Sequence, residues 1–172
     1  MVLIDTMISN PAANANSTTK EVRNLARILA QVDPSTFGLL KCRGVIRVPK
    51  ENTILPLFDF KFIFDIPAQL SSPQSLRAVL LSGASYPLDE RLELAKKLAS
   101  SVLFVHTVQF VHKNIRPETI IVFRNEDSDI GAPYLAGFEK FRIEDGNTYL
   151  AGDNIWDHNL CKNPFSEKEN TY

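Results

Sequence analysis

The sequence has few of the features that mark secreted or membrane proteins. It contains 2 cysteines, Cys42 and Cys161, which are far apart and form no Cys-x-x-Cys pair. This low number favours a reducing, intracellular setting over secretion. The uninterrupted apolar runs reach only about four or five residues, whereas roughly 20 are needed to span a bilayer. The first residues also lack the basic region of a signal peptide. We therefore expect a cytoplasmic protein without a membrane span.

An excess of charge of one sign is also missing. The chain has 19 basic and 20 acidic residues among 172, and its formal net charge is −1 at pH 7. No cluster of Lys and Arg occupies a single segment, so nucleic acid is not an expected partner. The composition is 44% hydrophobic and includes 11 Phe, which is typical of a globular chain with a sizeable core. The length predicts one domain, or two at most.

The first half of the chain predicts a helix followed by a hairpin. Residues 1–17 are interpreted as a flexible lead-in to the first helix, because small and polar residues dominate the second part of this segment. A capping box at 18–21 and an apolar stripe at helical spacing predict a helix over 19–32, which Asp33-Pro34 ends. Two apolar and aromatic runs, at 37–48 and 54–65, predict strands joined by a turn at 49–52.

The second half predicts a mainly helical region with short strands. The pair Ser72-Pro73 predicts the start of a short helix that ends at Gly83. Apolar residues at helical spacing predict a long helix of about 22 residues that starts near Pro87. The remaining expected elements are strands at 119–123 and 133–138, with mostly loop over 139–172. This order predicts an α+β fold.

One segment after the long helix resembles the catalytic loop of protein kinases. It reads His112-Lys-Asn114-Ile-Arg116-Pro-Glu-Thr119, against the kinase pattern H-R-D-L-K-P-E-N. The helix around Glu21 resembles the kinase helix that supplies an ion-pair glutamate. The stretches at 39–45 and 62–67 resemble the strand after that helix and the strand that enters the hinge. The triplet Gly137-Phe138-Glu139 occupies the place of the metal-binding D-F-G.

The resemblance implies a partial protein-kinase-like fold. Residues 18–66 correspond to part of the N-lobe, namely the helix and the hairpin, and residues 67–172 correspond to part of the C-lobe. The amino-acid sequence of residues 85–141 is similar, more narrowly, to that of fungal kinase-like domains that follow a prion-inhibition (HeLo-type) domain. By analogy, that narrower resemblance implies a role in self/non-self recognition or cell-death signalling.

The same resemblance implies that phosphoryl transfer is lost. Asn114 replaces the aspartate that accepts the proton of the substrate hydroxyl, and an amide cannot act as a base. Thr119 replaces the asparagine that holds a second Mg²⁺, and Gly137 replaces the metal-binding aspartate. We further expect the strand lysine that would pair with Glu21, and the glycine-rich loop over the phosphates, to be missing. No confident catalytic residue is therefore expected.

Nucleotide binding is a separate question. If Asp65 starts the hinge, Pro67 falls on the backbone donor that would bind adenine, and proline has no N–H. Arg116 keeps a cation that could contact a phosphate, although a surface arginine in a turn explains it equally well. The three histidines show no metal-ligand spacing. We expect no metal and no cofactor, with ATP and Mg²⁺ relevant only if the chain is active.

Three functions stay open at this point. The preferred hypothesis is a pseudokinase-like region that acts as a binding or regulatory module. The first alternative is a divergent active kinase whose missing parts lie in a longer chain, and the second is a truncated product without function. A helix face around Leu98, Val102 and Val105 is expected to be partly uncovered, which predicts a protein partner or the remainder of a longer chain as its cover.

Overall fold

The computed structural model describes residues 1–8, 15–50, 58–124, 128–138 and 141–143, except for the side chains of residues 142 and 143. The first part of the chain forms an antiparallel sheet covered by a helix. Strand β1 spans Val2–Ile8, helix α1 Ala15–Leu29, strand β2 Lys41–Pro49 and strand β3 Phe58–Asp65. The strand order is β1-β3-β2, so β3 is central.

Helix α1 packs against one face of this sheet because both surfaces are apolar. Alternate residues of β3, namely Phe60, Phe62 and Phe64, are at most 4% exposed, as expected for a strand with one covered face. The helix contributes its buried stripe of Val22, Leu25, Ala26 and Leu29. A short helix α2, Pro34–Phe37, follows, with Asp33 as its N-cap.

The second part begins with two elements that the sequence patterns assigned differently. Strand β4 spans Ser71–Ser75 and helix α3 spans Leu76–Leu81. The long helix α4 follows at Leu88–Thr107. The remaining strands are β5 Phe110–His112, β6 Ile120–Arg124, β7 Ala132–Leu135 and β8 Phe141–Ile143. They form a three-stranded sheet of order β4-β6-β7 and a two-stranded pair of β5 with β8.

The two parts are joined at the loop after α2. The N–H of Leu135 donates to the carbonyl oxygen of Gly38 at 2.9 Å, and Leu39 forms a parallel bridge with Leu135. The hydroxyl of Ser101, on α4, lies 2.7 Å from the carbonyl oxygen of Phe37 and is fully buried. The buried residues of both parts form one hydrophobic core.

The predicted α+β fold and its partial kinase-like arrangement are confirmed. The long helix, the first amphipathic helix and the antiparallel pairing of the two early strands are present. The predicted turn at 49–52 lies largely outside the described residues, as does most of 139–172. No helix in the described ranges is both long and apolar enough to cross a membrane.

The prediction of a flexible lead-in over 1–17 is wrong for most of the residues that the structure describes there. Val2–Ile8 form β1, which pairs along its whole length with β3. Helix α1 already begins at Ala15, so the predicted capping box at 18–21 lies inside the helix. There the Thr19 hydroxyl donates to the carbonyl oxygen of Ala15 at 2.7 Å. The lead-in pattern failed because strand pairing with a distant segment outweighs weak local preference.

Two further boundaries differ from the predictions. Ser72-Pro73 lies in β4, and helix α3 is capped instead by Ser75, whose hydroxyl accepts from the N–H of Ala78 at 3.2 Å. Proline is tolerated there because β4 is an edge strand. The predicted strand from Phe37 begins only at Lys41, because α2 occupies Pro34–Phe37.

The apolar surface of α4 agrees with the prediction in part. Leu98 and Val102 are partly exposed, as predicted, although they pack against the core, whereas Val105 is 1% exposed. The most exposed large apolar residues of α4 are Leu88, Leu92 and Leu103, at 72%, 53% and 68%. These three leucines are called the exposed α4 stripe.

Candidate functional site

The segment that resembles a catalytic loop forms a compact turn closed by its own polar groups. The Thr119 hydroxyl lies 2.6 Å from the carbonyl oxygen of Asn114 and accepts from the N–H of Arg116 at 3.2 Å. The N–H of Ala136 donates to the carbonyl oxygen of Thr119 at 2.8 Å. This bond holds the turn against the chain that enters Gly137-Phe138. The structure therefore brings together the predicted residues His112, Asn114, Arg116, Thr119, Gly137 and Phe138.

His112 is a buried structural residue in this turn. Its Nδ1 accepts from the N–H of Asn114 at 3.2 Å, so its Nε2 carries the proton and donates to the carbonyl oxygen of Ala136 at 2.9 Å. Burial lowers the pKa of His112 to about 4, against the opposing effect of the Ala136 bond. The ring is therefore neutral near pH 7 and forms an edge contact with Phe138.

Asn114 and Thr119 fill the space beside Gly137. The Asn114 amide donates to the Gly137 carbonyl oxygen at 3.4 Å, and both Asn114 and Thr119 are under 9% exposed. Gly137 has a φ of +77°, and a Cβ placed on it would lie 2.5 Å from Cγ2 of Thr119. A side chain at 137 is excluded by contact as well as by backbone conformation. The resemblance to kinases aligns their metal-binding aspartate with this position, where Thr119 and Asn114 fill the space for a side chain.

Asp5 is a site residue that the sequence analysis missed. Strand β1 precedes α1 and reads Val2-Leu-Ile-Asp5. It shares the valine and the isoleucine of the kinase strand motif V-A-I-K and has an acid at the position of the lysine. The N–H of Phe138 donates to Oδ2 of Asp5 at 2.8 Å. This partial motif match was the available signal.

The predicted hinge residues lie at the end of β3. Asp65 forms an ion pair with Arg43 at 2.6 Å, and the N–H of Ile66 donates to the carbonyl oxygen of Met1 at 3.2 Å. Pro67 has no N–H to offer. The backbone donor directly after Asp65 is therefore paired with the residue that precedes β1.

Glu21 and Glu139 are the two remaining predicted residues. Glu21 lies in α1 and accepts from the Ser17 hydroxyl at 3.0 Å on its own helix, one turn before it. Glu139 lies outside the described residues. Within the described ranges, no group of three or more His, Cys, Asp or Glu side chains is arranged to hold a metal ion.

The fold and the turn around His112 thus have a kinase-like arrangement with altered reactive positions, and two known proteins are similar to the chain. Over 127 residues, 72% of this chain, it is 25% identical to a probable serine/threonine-protein kinase of Dictyostelium discoideum. Over 98 residues, 52% of this chain, it is 37% identical to the non-functional pseudokinase ZED1 of Arabidopsis thaliana.

The matched regions are small parts of these relatives. They cover 7% of the Dictyostelium protein and 28% of the Arabidopsis protein. No family model matches the chain. The similarities support a kinase-like region, and one of the two relatives is named as a non-functional pseudokinase.

Proposed function

We propose that this chain is a catalytically inactive, kinase-like module that acts inside the cell by binding a protein partner or the remainder of a longer chain. The observation that carries the proposal is the packing of Thr119 and Asn114 against Gly137. Phosphoryl transfer depends on metal ions that neutralise the phosphates and on a base that orients the nucleophile. At 137 neither a metal-binding side chain nor the space for one is present.

Asp5 supports the same conclusion by its charge. In kinases a lysine at this strand position binds the α- and β-phosphates. Here a carboxylate takes its place and holds the backbone at Phe138. A carboxylate repels phosphate oxygens, and the repulsion is stronger in a partly buried site than in water. The residues present therefore do not fit Mg²⁺-ATP, and no step of catalysis is derived through it.

The exposed α4 stripe supports the binding role. Its three leucines are each more than half exposed, and Leu80 and Leu81 of α3 are exposed to a similar degree, at 65% and 72%. Exposed leucines of this kind supply apolar contact area for a protein partner.

The narrower resemblance to fungal kinase-like domains that follow a HeLo-type domain belongs to this proposal as well. It would make the bound partner a component of self/non-self recognition or cell-death signalling, by analogy with those proteins.

Thermal unfolding in the presence of nucleotide tests the proposal. The purified chain is melted alone, with ATP, with ATP plus Mg²⁺, and with inorganic triphosphate as the control for phosphate binding outside the cleft. A ligand at 100 times its Kd stabilises by about 2.7 kcal/mol, which shifts the Tm of a chain of this size by roughly 5–10 °C. We expect one cooperative transition and no shift that needs the adenosine or the metal.

A shift that requires ATP and Mg²⁺ together, and that triphosphate does not reproduce, would contradict the proposal and favour the active-kinase alternative. Absence of any cooperative transition would favour the truncated-product alternative. Incorporation of labelled phosphate into the chain or into a generic substrate would also contradict the proposal.

A further inference from the structure

A basic cavity is lined by residues of α1 and by Arg47 of β2. Its volume is about 330 Å³, and its lining consists of polar and basic residues only: Asn16, Thr19, Lys20, Arg23, Asn24, Arg27 and Arg47. Four of the seven are cations and none is acidic. The net charge of the whole chain is only −1, so positive charge is concentrated locally in this cavity.

The secondary structure explains how the cations meet. Lys20, Arg23 and Arg27 are spaced by three and four residues, so they lie on one face of α1. Residues opposite each other in an antiparallel pair share a face of the sheet. Arg47 is the register partner of Phe60, whose side chain is buried under α1, so Arg47 extends towards the helix. The sequence prediction concerned Lys and Arg within a single segment, whereas here three cations of α1 are joined by one of β2.

The acidic residues nearest in sequence are directed elsewhere. Asp59 of β3 is offset by one residue from the buried phenylalanines, which places it on the opposite face of the sheet. There it pairs with Lys50 at 3.3 Å. Glu21, the acid within the basic stretch of α1, accepts from Ser17 and does not line the cavity. Among the described residues, no acidic side chain lines the cavity to neutralise its positive charge.

One of the cations is held in place before any ligand arrives. The guanidinium carbon of Arg47 lies over the ring of Phe58, 3.3 Å from its centroid, a cation–π contact. This contact limits the motion of the guanidinium, which therefore loses less conformational entropy when it binds an anion.

We propose that this cavity is a binding site for a small ligand that carries several phosphate groups. Three arginines offer planar pairs of N–H donors that match phosphate oxygens. The side-chain amide of Asn24 adds a neutral donor. The stretch of α1 from Asn16 to Arg27 is about 16 Å long, and the cavity volume lies at the low end for small-molecule sites. These dimensions fit a compact polyphosphate better than a nucleic acid, which needs an extended basic track.

Isothermal titration calorimetry with inositol hexakisphosphate as the probe tests this proposal. The double variant R23Q/R27Q removes two of the four cations while it keeps the length and helix preference of the side chains. The matched control R91Q/K97Q removes two exposed cations of α4. We expect the intact chain and the control to bind with similar affinity, and R23Q/R27Q to bind at least tenfold more weakly. The affinity should fall steeply between about 50 and 200 mM salt.

Three results would overturn the proposal. The first is the absence of any heat of binding at millimolar inositol hexakisphosphate, and the second is an equal loss of affinity in the two double variants. The third is tighter binding of a single-stranded oligonucleotide than of inositol hexakisphosphate. The circular dichroism spectrum and Tm of each variant show whether it is folded.

A second arm distinguishes two sources of the same chemistry. Co-sedimentation with vesicles that contain phosphatidylinositol bisphosphate, lost in R23Q/R27Q, assigns a lipid headgroup. Binding of the soluble probe without vesicle binding assigns a free polyphosphate. Both results support the site, whereas vesicle binding that survives in R23Q/R27Q contradicts it.

Discussion

At the scale of single residues, the kinase-like turn uses its polar side chains to hold the backbone. His112, Asn114 and Thr119 are all buried, and each bonds a main-chain group of a neighbouring segment. A buried polar group that is satisfied in this way stabilises the fold, and it costs free energy when its partner is removed. The positions that carry reactivity in kinases serve structure here.

Acid should destabilise the chain through His112. Its pKa is about 4 in the folded chain against an ordinary 6.5, so the unfolded chain binds the proton more tightly. The stabilisation is complete above pH 6.5, is lost as the pH falls towards 4, and amounts to about 3 kcal/mol. Urea unfolding at pH 7 and pH 4.5 measures this loss.

The variant H112Q should be less stable at pH 7 and should lose much less stability between these pH values. The exposed His106 provides the control, because H106Q should keep the pH dependence of the original chain. An unchanged pH dependence in H112Q would contradict this assignment.

A methyl group at Gly137 should destabilise more than one at Gly83. Both glycines have a positive φ, +77° and +72°, but only Gly137 is surrounded, since no atom lies within 4 Å of a Cβ built on Gly83. G83A therefore reports backbone strain alone, about 1 kcal/mol. G137A adds the clash with Thr119, which should lower the free energy of unfolding by about 1–3 kcal/mol more. Chemical denaturation of both variants gives the difference, and equal losses would mean that the space beside Gly137 is open.

At the scale of elements, the loop after α2 depends on one hydroxyl of α4. Ser101 lies within 3.2 Å of the carbonyl oxygens of Phe37, Gly38 and Lys97. S101A should cost about 1–2 kcal/mol of unfolding free energy because a buried acceptor loses its donor. The adjacent S100A, at an exposed position, is the matched control and should be neutral or slightly stabilising, since alanine favours helix. Similar changes in unfolding free energy for the two variants would show that the Ser101 hydrogen bond adds nothing to stability.

The sequence predicted the elements whose own residues form a clear pattern. Helices α1 and α4 have periodic apolar residues, and the catalytic-loop-like turn is marked by a recognisable run from His112 to Thr119. Strands β5 and β8 were missed because each has three residues and they form only through pairing with each other. Asp5 was missed because β1 was not recognised as a strand, and the basic cavity because Arg47 joins α1 only after the sheet forms.

At the scale of the whole molecule, the exposed α4 stripe should cause self-association when nothing covers it. The double variant L88E/L103E places charge on the stripe and should reduce the particle size seen by light scattering at about 100 µM protein. The control S100E/T107E adds the same charge to polar positions of α4 and should leave the association unchanged. A monomeric parent chain, or an equal effect of the control, would contradict a role of the stripe.

The central position of β3 has a consequence for how the chain is made. Strand β1 is synthesised before its partner β3, which ends at Asp65, the register partner of Val2, and Asp5 can contact Phe138 only 133 residues later. At roughly 5–20 residues per second, the early strand waits several seconds for β3 and longer for Phe138. During this interval its unpaired edge is open to chaperones or to a strand of another nascent chain. Slow translation over 58–65 should therefore lower the yield of native protein more than slow translation later in the chain.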